Sequence, residues 1–360
     1  MATNSEAFYK LKKAFNNGFE RIETTTANAA MIIRLRRQLG QFMKPTDLMT
    51  AEYKKQIEKY WKPYHKVDTR YHAWYSSRNG IYDPRYIPDD LYYTFIDQHF
   101  NNRKYGWGVN DKNYYSLWFQ DVKQPEVVVR KINHIFYSAD YHIISEQEAV
   151  ERCECYNALI IKPANETGGS RGIQFWSNGE NIREKMSSGA SLVIQALIRQ
   201  HEVLSQIHRD SVNTLRIMTL ILDDQIWHIS TVLRMGVGES RVDNASAGGI
   251  TCGVKEDGQL KDVAFNAHGE LFLEHPQGYR FSDCVVPGYQ KAVKMAKHCH
   301  EKLGHFRLIS WDIAIDEMGE PILIESNMRN GECDFHQFNN GPLFGDLTDR
   351  VLWEVFSGKE

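Results

Sequence analysis

Two apolar segments near the C-terminal end set the tightest limit on this chain. Leu308–Ile315 (Leu-Ile-Ser-Trp-Asp-Ile-Ala-Ile) and Pro321–Asn327 (Pro-Ile-Leu-Ile-Glu-Ser-Asn) have the apolar, branched content of strands, and Asp316-Glu-Met-Gly-Glu320 between them is a turn sequence. They predict a hairpin with Ile315 facing Ile322, and that register sets Asp312 directly opposite Glu325. Period-two alternation puts both carboxylates on one face, with Asn327 beside them. Directly opposed Cβ atoms lie about 4.5–5.5 Å apart, so two carboxylates repel unless a cation sits between them. Oxygen ligands of this kind, completed by phosphate and water, suit Mg2+. The alternative is a pair of solvated strand carboxylates, but both interrupt otherwise apolar strands.

Arginines interrupt two further strand patterns, at Ser211-Val-Asn-Thr-Leu-Arg216-Ile-Met-Thr219 and Ile229-Ser-Thr-Val-Leu-Arg234-Met-Gly236. An arginine in such a setting is costly unless it meets an anion. Its planar fork suits a carboxylate or a transferring phosphoryl group, and an ion pair with an acidic neighbour is the other reading. The run Val242-Asp243-Asn244-Ala-Ser-Ala-Gly248-Gly249-Ile250 follows, as a substrate loop or a wide turn. Upstream, a strand Ala158–Lys162 ends in lysine, leads through Asn165-Glu-Thr-Gly-Gly-Ser-Arg-Gly172, and is followed by another strand over Gly172–Phe175. Glycines there let backbone N–H groups close on phosphate oxygens, and the strand-end lysine adds a charge for them. The loop lacks the Gly-Lys-Ser/Thr-to-helix arrangement of a P-loop.

The bulk properties exclude several classes. A net charge of -3 gives no electrostatic footprint for nucleic acid. No run of about eighteen apolar residues offers a membrane span, and the polar first thirty residues hold no signal-peptide core. Six cysteines in 360 residues make no disulfide framework or zinc-site spacing, so reduced thiols and a cytoplasmic location are expected.

Residues 1–105 read as a mainly helical region and 106–360 as a catalytic region, with a lid subdomain over about 125–195 and a metal-binding subdomain over about 196–345. In the first, Met31, Ile32, Leu35, Leu39 and Phe42 recur at helical spacing among Arg34, Arg36 and Arg37. That pattern fits a helix packed on its own domain or one resting on a membrane surface. The dense aromatics from Tyr53 to Phe119 fill a core or stack on sugars and bases. After residue 120, strands are expected at 125–130, 158–162, 172–175, 192–195, 215–222 and 226–235. Helices are expected at 145–152, 182–187 and 287–303. The whole is an α+β fold with mostly antiparallel pairing.

From about residue 105 to 345 the sequence resembles the ATP-grasp superfamily, and more narrowly its sugar-transfer-associated branch. The narrower likeness rests on Ser-Val-Asn-Thr-Leu-Arg-Ile at 211–217, Arg-Met-Gly at 234–236, Val-Asp-Asn at 242–244 and Gly-Gly-Ile at 248–250. The resemblance implies two α+β subdomains clamping ATP. It implies that Lys112 and Lys162 reach the phosphates and that Gly168, Gly169, Ser170, Arg171 and Gly172 form the lid loop. Gln195, Ala196, Leu197 and Ile198 take the place of the adenine hinge, although glutamate is commoner than glutamine at its start. His201 or Glu202 stands where ribose is held, and Asp312, Glu325 and Asn327 match the metal triad. Arg171 departs from the lysine frequent at its position.

The activity this implies is ATP- and Mg2+-dependent ligation of a carboxylate to an amine through an acyl phosphate. Arg216 and Arg234 would orient the substrate carboxylate, with Asn213, Asp243, Asn244, Gly248 and Gly249 around the substrate. The branch points to a uronic acid or UDP-sugar acid as the small-molecule partner, amidated in capsule or O-antigen synthesis. A kinase acting on a hydroxyl, an amino-acid or peptide ligase, and a non-catalytic carbohydrate-binding or scaffold protein are the alternatives, the joint presence of the metal residues arguing against the last.

Overall fold

Runs of branched apolar residues broken by tight turns give two sheets, every strand pair of which is antiparallel. The computed structural model describes residues 25–165, 171–244, 247–329 and 331–357. The first sheet holds β1 (Val127–Ile132), β2 (Ile135–Ser138), β3 (Ile143–Ile144), β4 (Ala158–Pro163), β5 (Gln174–Ser177) and β6 (Leu192–Ala196), in the order β3-β2-β1-β6-β4-β5. Helices Glu146–Glu154 and Ile182–Ser187 cover one face of it. The first begins where the Ser145 hydroxyl accepts the Glu148 N–H, the cap legible in its sequence. Val129, Ala149, Cys153, Leu159, Ile161, Trp176 and Ile194 form its own small core.

The second sheet holds β7 (Thr214–Leu222), β8 (Gln225–Met235), β9 (Ile250–Val254), β10 (Leu260–Asn266), β11 (Leu271–Phe272), β12 (Leu308–Ile315) and β13 (Pro321–Asn327). Its order is β11-β10-β9-β8-β7-β12-β13. Alternation along β7 and β12 divides the labour of its two faces. Leu215, Ile217, Trp311 and Ile313 point into the large core under helix Tyr289–Glu301. On the opposite face Met218, Leu220, Leu222 and Leu308 join Tyr53, Ile57, Trp61, Ile96 and Val351 in a second core. Arg216 and Asp312 occupy the rest of that face. One side of the sheet is therefore apolar at one end, where N-terminal and C-terminal helices cover it, and charged at the other.

The expected hairpin forms with Asp312 opposite Glu325 and Ser310 opposite Asn327, but its path differs from the one expected. Ile315 pairs with Pro321, not Ile322, and a bulge beyond Ile313–Leu323 absorbs the extra residue at Ile324. The bulge restores the register that brings the two carboxylates together. β5 starts at Gln174 because Gly172, with φ 78°, lies in the turn before it. Helix 287–303 is shorter than expected, at Tyr289–Glu301. The short strands β2, β3, β9, β10 and β11 and the helices Glu202–Ile207, Cys333–Asn340 and Thr348–Phe356 had no expectation attached.

In the N-terminal region a helix runs over 25–42 and packs on its neighbours, with Leu39 buried and Arg36 Nε bonded to Asp90 Oδ2 at 2.7 Å. The packed-helix reading accounts for these contacts. Residues 1–24 lie outside the described ones. Most of the dense aromatics are core, Trp61, Tyr71, Trp74, Tyr75, Tyr86 and Tyr92 among them. Among the described residues no helix is long and apolar enough to cross a membrane.

Candidate active-site cleft

A cleft of about 800 Å3 opens between the two sheets, and most of the residues singled out above line it. From the first sheet and its approaches come Lys112, Lys162, Gln195, Ala196, Leu197 and Ile198. From the second come Arg216, Arg234, Asp243, Asn244, Asp312, Glu325 and Asn327. Lys112 is set in place at a turn capped by Asp111, with its own N–H bonded to the Ala164 carbonyl at the end of β4. The polypeptide crosses between the sheets just after β6, where the His201 N–H meets the Ile315 carbonyl at 2.9 Å.

Cross-strand register arranges the charges. Arg216, Asp312 and Glu325 form a row across β7, β12 and β13. Arg216 binds Asp312 through Nε–Oδ1 and Nη2–Oδ2, each 2.8 Å, and turns Nη1 to Glu332. Arg234 reaches Asp312 Oδ2 at 3.0 Å and Asn244 Oδ1 at 2.6 Å, and Asp243 Oδ1 lies 3.4 Å away. The Thr214 hydroxyl donates to Asp243. Lys112 Nζ stands 2.6 Å from Glu325 Oε1. Both arginines thus meet protein carboxylates here, as the ion-pair reading of the sequence had it.

These neighbours set the protonation states. Burial pushes the Asp312 carboxyl up, but Arg216 and Arg234 outweigh it and hold the group down at about 2. Asp243 stays above the ordinary range, because burial outweighs Arg234 and Thr214. Lys162 is lowered to about 8, first by burial and then by the like charge of Lys112. An anion beside it would favour its charged form and raise it again.

Some expected residues lie elsewhere. The His201 ring caps helix Glu202–Ile207, its Nδ1 accepting the Val203 N–H at 3.2 Å, and it does not line the cleft. Asn213 is fully buried behind the wall, its amide bonded to Gln200 Oε1 and the Leu204 and His208 carbonyls. Gly249 is a spacer: a Cβ there would clash with the Asp243 carbonyl and meet that of Asn244 at 2.9 Å, so it lets the acidic loop fold back on itself. Gly248 takes φ 86° in the same loop, and neither glycine lines the cleft. Arg171 and Gly172 are described but lie off the cleft lining, whereas Gly168, Gly169 and Ser170 lie outside the described residues.

Two features had no sequence signal. Glu332 sits at φ 58°, a conformation non-glycine residues seldom adopt, and its carboxylate is held on Arg216. Arg241 places its guanidinium 3.8 Å from the centroid of the Phe175 ring, joining the loop after β8 to β5 across the cleft.

The fit of a metal follows from the donor set. Asp312, Glu325 and Asn327 offer oxygen only, which suits Mg2+. Among the described residues no three Asp, Glu, His or Cys side chains gather to hold a metal by themselves. A cation here needs phosphate and water for the rest of its sphere, the manner in which Mg2+ is usually held beside nucleotides.

A cleft with paired lysines on one wall and an Arg-Asp-Glu row on the other agrees with a match in sequence. Residues 189–351 match the family model for sugar-transfer associated ATP-grasp proteins. The matched span contains Gln195 to Ile198, both arginines, Asp243, Asn244 and the Asp312–Glu325–Asn327 set, while Lys112, Lys162 and residues 168–172 precede it. No curated protein sequence matches the chain. Among solved structures it is similar to an L-amino acid ligase from Bacillus licheniformis, at 16% identity over 69% of this chain and 50% of that one, with a TM-score of 0.40. It is also similar to VanG D-Ala:D-Ser ligase from Enterococcus faecalis, at 13% identity over 69% and 61%, with a TM-score of 0.43. A third is biotin carboxylase from Campylobacter jejuni, at 13% over 70% and 46%, also with a TM-score of 0.43. The chain spans about half to two thirds of the length of these proteins. Likeness at this level says nothing of activity.

Proposed function

We propose that this chain is an ATP-dependent carboxylate–amine ligase that works through an acyl phosphate. One observation carries the reading: a single cleft gathers two lysines for phosphates, two arginines for an acid, and an oxygen-only metal set, in the order along the chain that the resemblance implies. Lys112 and Lys162 bind phosphate oxygens, and Gln195 to Ile198 line the nucleotide's far end with backbone groups. Asp312, Glu325 and Asn327 would hold Mg2+, which when bound neutralises charge on the phosphates.

Arg216 and Arg234 orient the acid. Its carboxylate oxygen takes the γ-phosphoryl group and ADP leaves; an amine nitrogen then attacks the acyl carbon, phosphate leaves, and the amine proton passes to solvent or phosphate. The β1–β6 sheet, over residues 127–196, acts as the lid unit that keeps water from the acyl phosphate. The reading extends to a uronic acid or sugar-nucleotide acid as substrate, supported by the sugar-transfer association of the matched family.

The test is ADP release from Mg2+-ATP with a panel of uronic acids and UDP-sugar acids, with and without hydroxylamine. Hydroxamate formed together with ADP supports the ligase and identifies the acid. ADP with a phosphorylated product and no hydroxamate overturns it in favour of a kinase.

A further inference from the structure

Beneath the helix over residues 25–42 lies a second cavity of about 330 Å3 that shares no lining residue with the cleft. Aromatic rings of Phe42, Tyr71, Trp74 and Tyr93 and the carboxyls of Asp89 and Asp334 form its wall. Trp74 and Tyr71 are almost wholly buried, at 2% and 1% exposure, yet Trp74 Nε1 and the Tyr71 hydroxyl have no hydrogen-bond partner among the described residues. Asp334 Oδ1 is in the same position. Buried donors and acceptors are nearly always satisfied, so three unmet polar atoms on residues that line one cavity call for a polar partner that the described residues do not supply.

The chemistry of the wall selects the guest. Asp89 accepts from the Tyr75 hydroxyl, and the Cys333 thiol lies 3.7 Å from the same oxygen. Burial raises the Asp89 carboxyl well above its usual range, and Asp334 raises it further. Asp334 is itself lifted to about 7, by burial and then by Glu332. A cation between the two would favour the ionised form of both carboxyls, which burial otherwise disfavours. Arg34, the one basic residue among the described residues lining the cavity, is solvent-exposed, and the aromatic faces favour a cation as well.

We propose that this cavity binds a compact organic ammonium ion, its positive nitrogen between Asp89 and Asp334 and its body against Trp74 and Tyr71. Hydroxyl or carbonyl oxygens on that body would accept from Trp74 Nε1 and Tyr71. The segment that carries Asp334 also carries Glu332, the partner of Arg216 in the cleft, so the two sites share one short stretch of backbone. An amine is what the ligase reading requires, but the inference stands on the cavity alone.

Isothermal titration of the full chain without nucleotide tests it, with glucosamine and cyclohexylamine against glucose and cyclohexanol as neutral counterparts. At least one amine binds saturably, its neutral counterpart binds at least tenfold more weakly, and Asp334→Asn weakens the amine at least tenfold. Trp74→Phe, which keeps a ring but removes the N–H, weakens glucosamine and guards against misfolding of the aspartate variant. Glu325→Gln in the cleft leaves amine binding unchanged. Binding by neither amine, equal binding of the neutral compounds, indifference to both cavity variants, or loss with Glu325→Gln overturns the proposal.

Discussion

Arg216 and Asp312 are direct cross-strand partners on β7 and β12, and they join through two parallel N–H···O bonds of 2.8 Å. Both are buried, and Asp312 is shared with Arg234. The opposite charges on this wall of the cleft thus compensate one another.

Asp312→Asn leaves two buried guanidinium groups short of their common counter-charge. Removing one partner of a buried pair costs about 3–5 kcal/mol, and urea unfolding at neutral pH should show a loss of that order. The pH dependence has a definite sign. The Asp312 pKa falls from 3.8 to about 2 on folding, so its contribution is complete above about pH 4 and is lost as pH falls through about 2. Wild-type stability in an asparagine variant would contradict the ion-pair assignment.

Glu325→Gln separates function from stability. Its side chain is about a fifth exposed and pairs with Lys112 at the cleft wall, so unfolding free energy should change by about 1 kcal/mol or less. ATP turnover, followed as ADP release, should fall by more than about 100-fold if the carboxylate holds Mg2+. Unchanged turnover would remove Glu325 from the metal set.

How much of this was legible in the sequence varied with the range of the interaction. The Asp312–Glu325 pairing followed from two strands and a short turn, although the bulge at Ile324 that makes it possible left no mark in the residue pattern. Arg216 and Arg234 announced themselves because a guanidinium inside an apolar strand needs an anion. The pairing did not: Asp312 and Asp243 read as metal and substrate residues, and Glu332 comes from a segment whose course depends on tertiary packing. Asn213 looked like a substrate group because its sequence neighbours are site residues, whereas its amide braces the turn after helix Glu202–Ile207. The cavity under the first helix was invisible, because aromatics that line a space and aromatics that fill one have the same spacing.

Arg241→Ala tests a contact that the sequence did not suggest. The guanidinium stacks on Phe175 at 3.8 Å and ties the loop after β8 to the first sheet. At a solvent-exposed arginine such a contact is worth about 0.5–1 kcal/mol, so KM for ATP should rise about two- to fivefold while kcat changes little. A fall in kcat at constant KM would assign Arg241 to the chemical step instead.

Lys162→Met gives the sharpest test of the proposed phosphate role. On folding, the Lys162 pKa drops from 10.5 to about 8, first because burial strips its water and then because Lys112 is near. Below pH 8 both folded and unfolded chains carry the proton, and holding the charge in the fold costs up to about 3 kcal/mol. Between pH 8 and 10.5 the folded chain sheds the proton while the unfolded chain keeps it, so the penalty shrinks as pH rises. The methionine variant should therefore be more stable than wild type at pH 7, and the two should converge by about pH 10 in paired urea titrations. Nucleotide affinity should move the other way, falling about 10- to 100-fold with the loss of a charge-assisted phosphate contact. ATP should also draw a proton onto wild-type Lys162 near pH 8.5, measured by titration in buffers of different ionisation enthalpy, and not onto the variant. A variant less stable than wild type at neutral pH, or one that binds ATP equally well, would show that Lys162 is a structural cation and not a phosphate ligand.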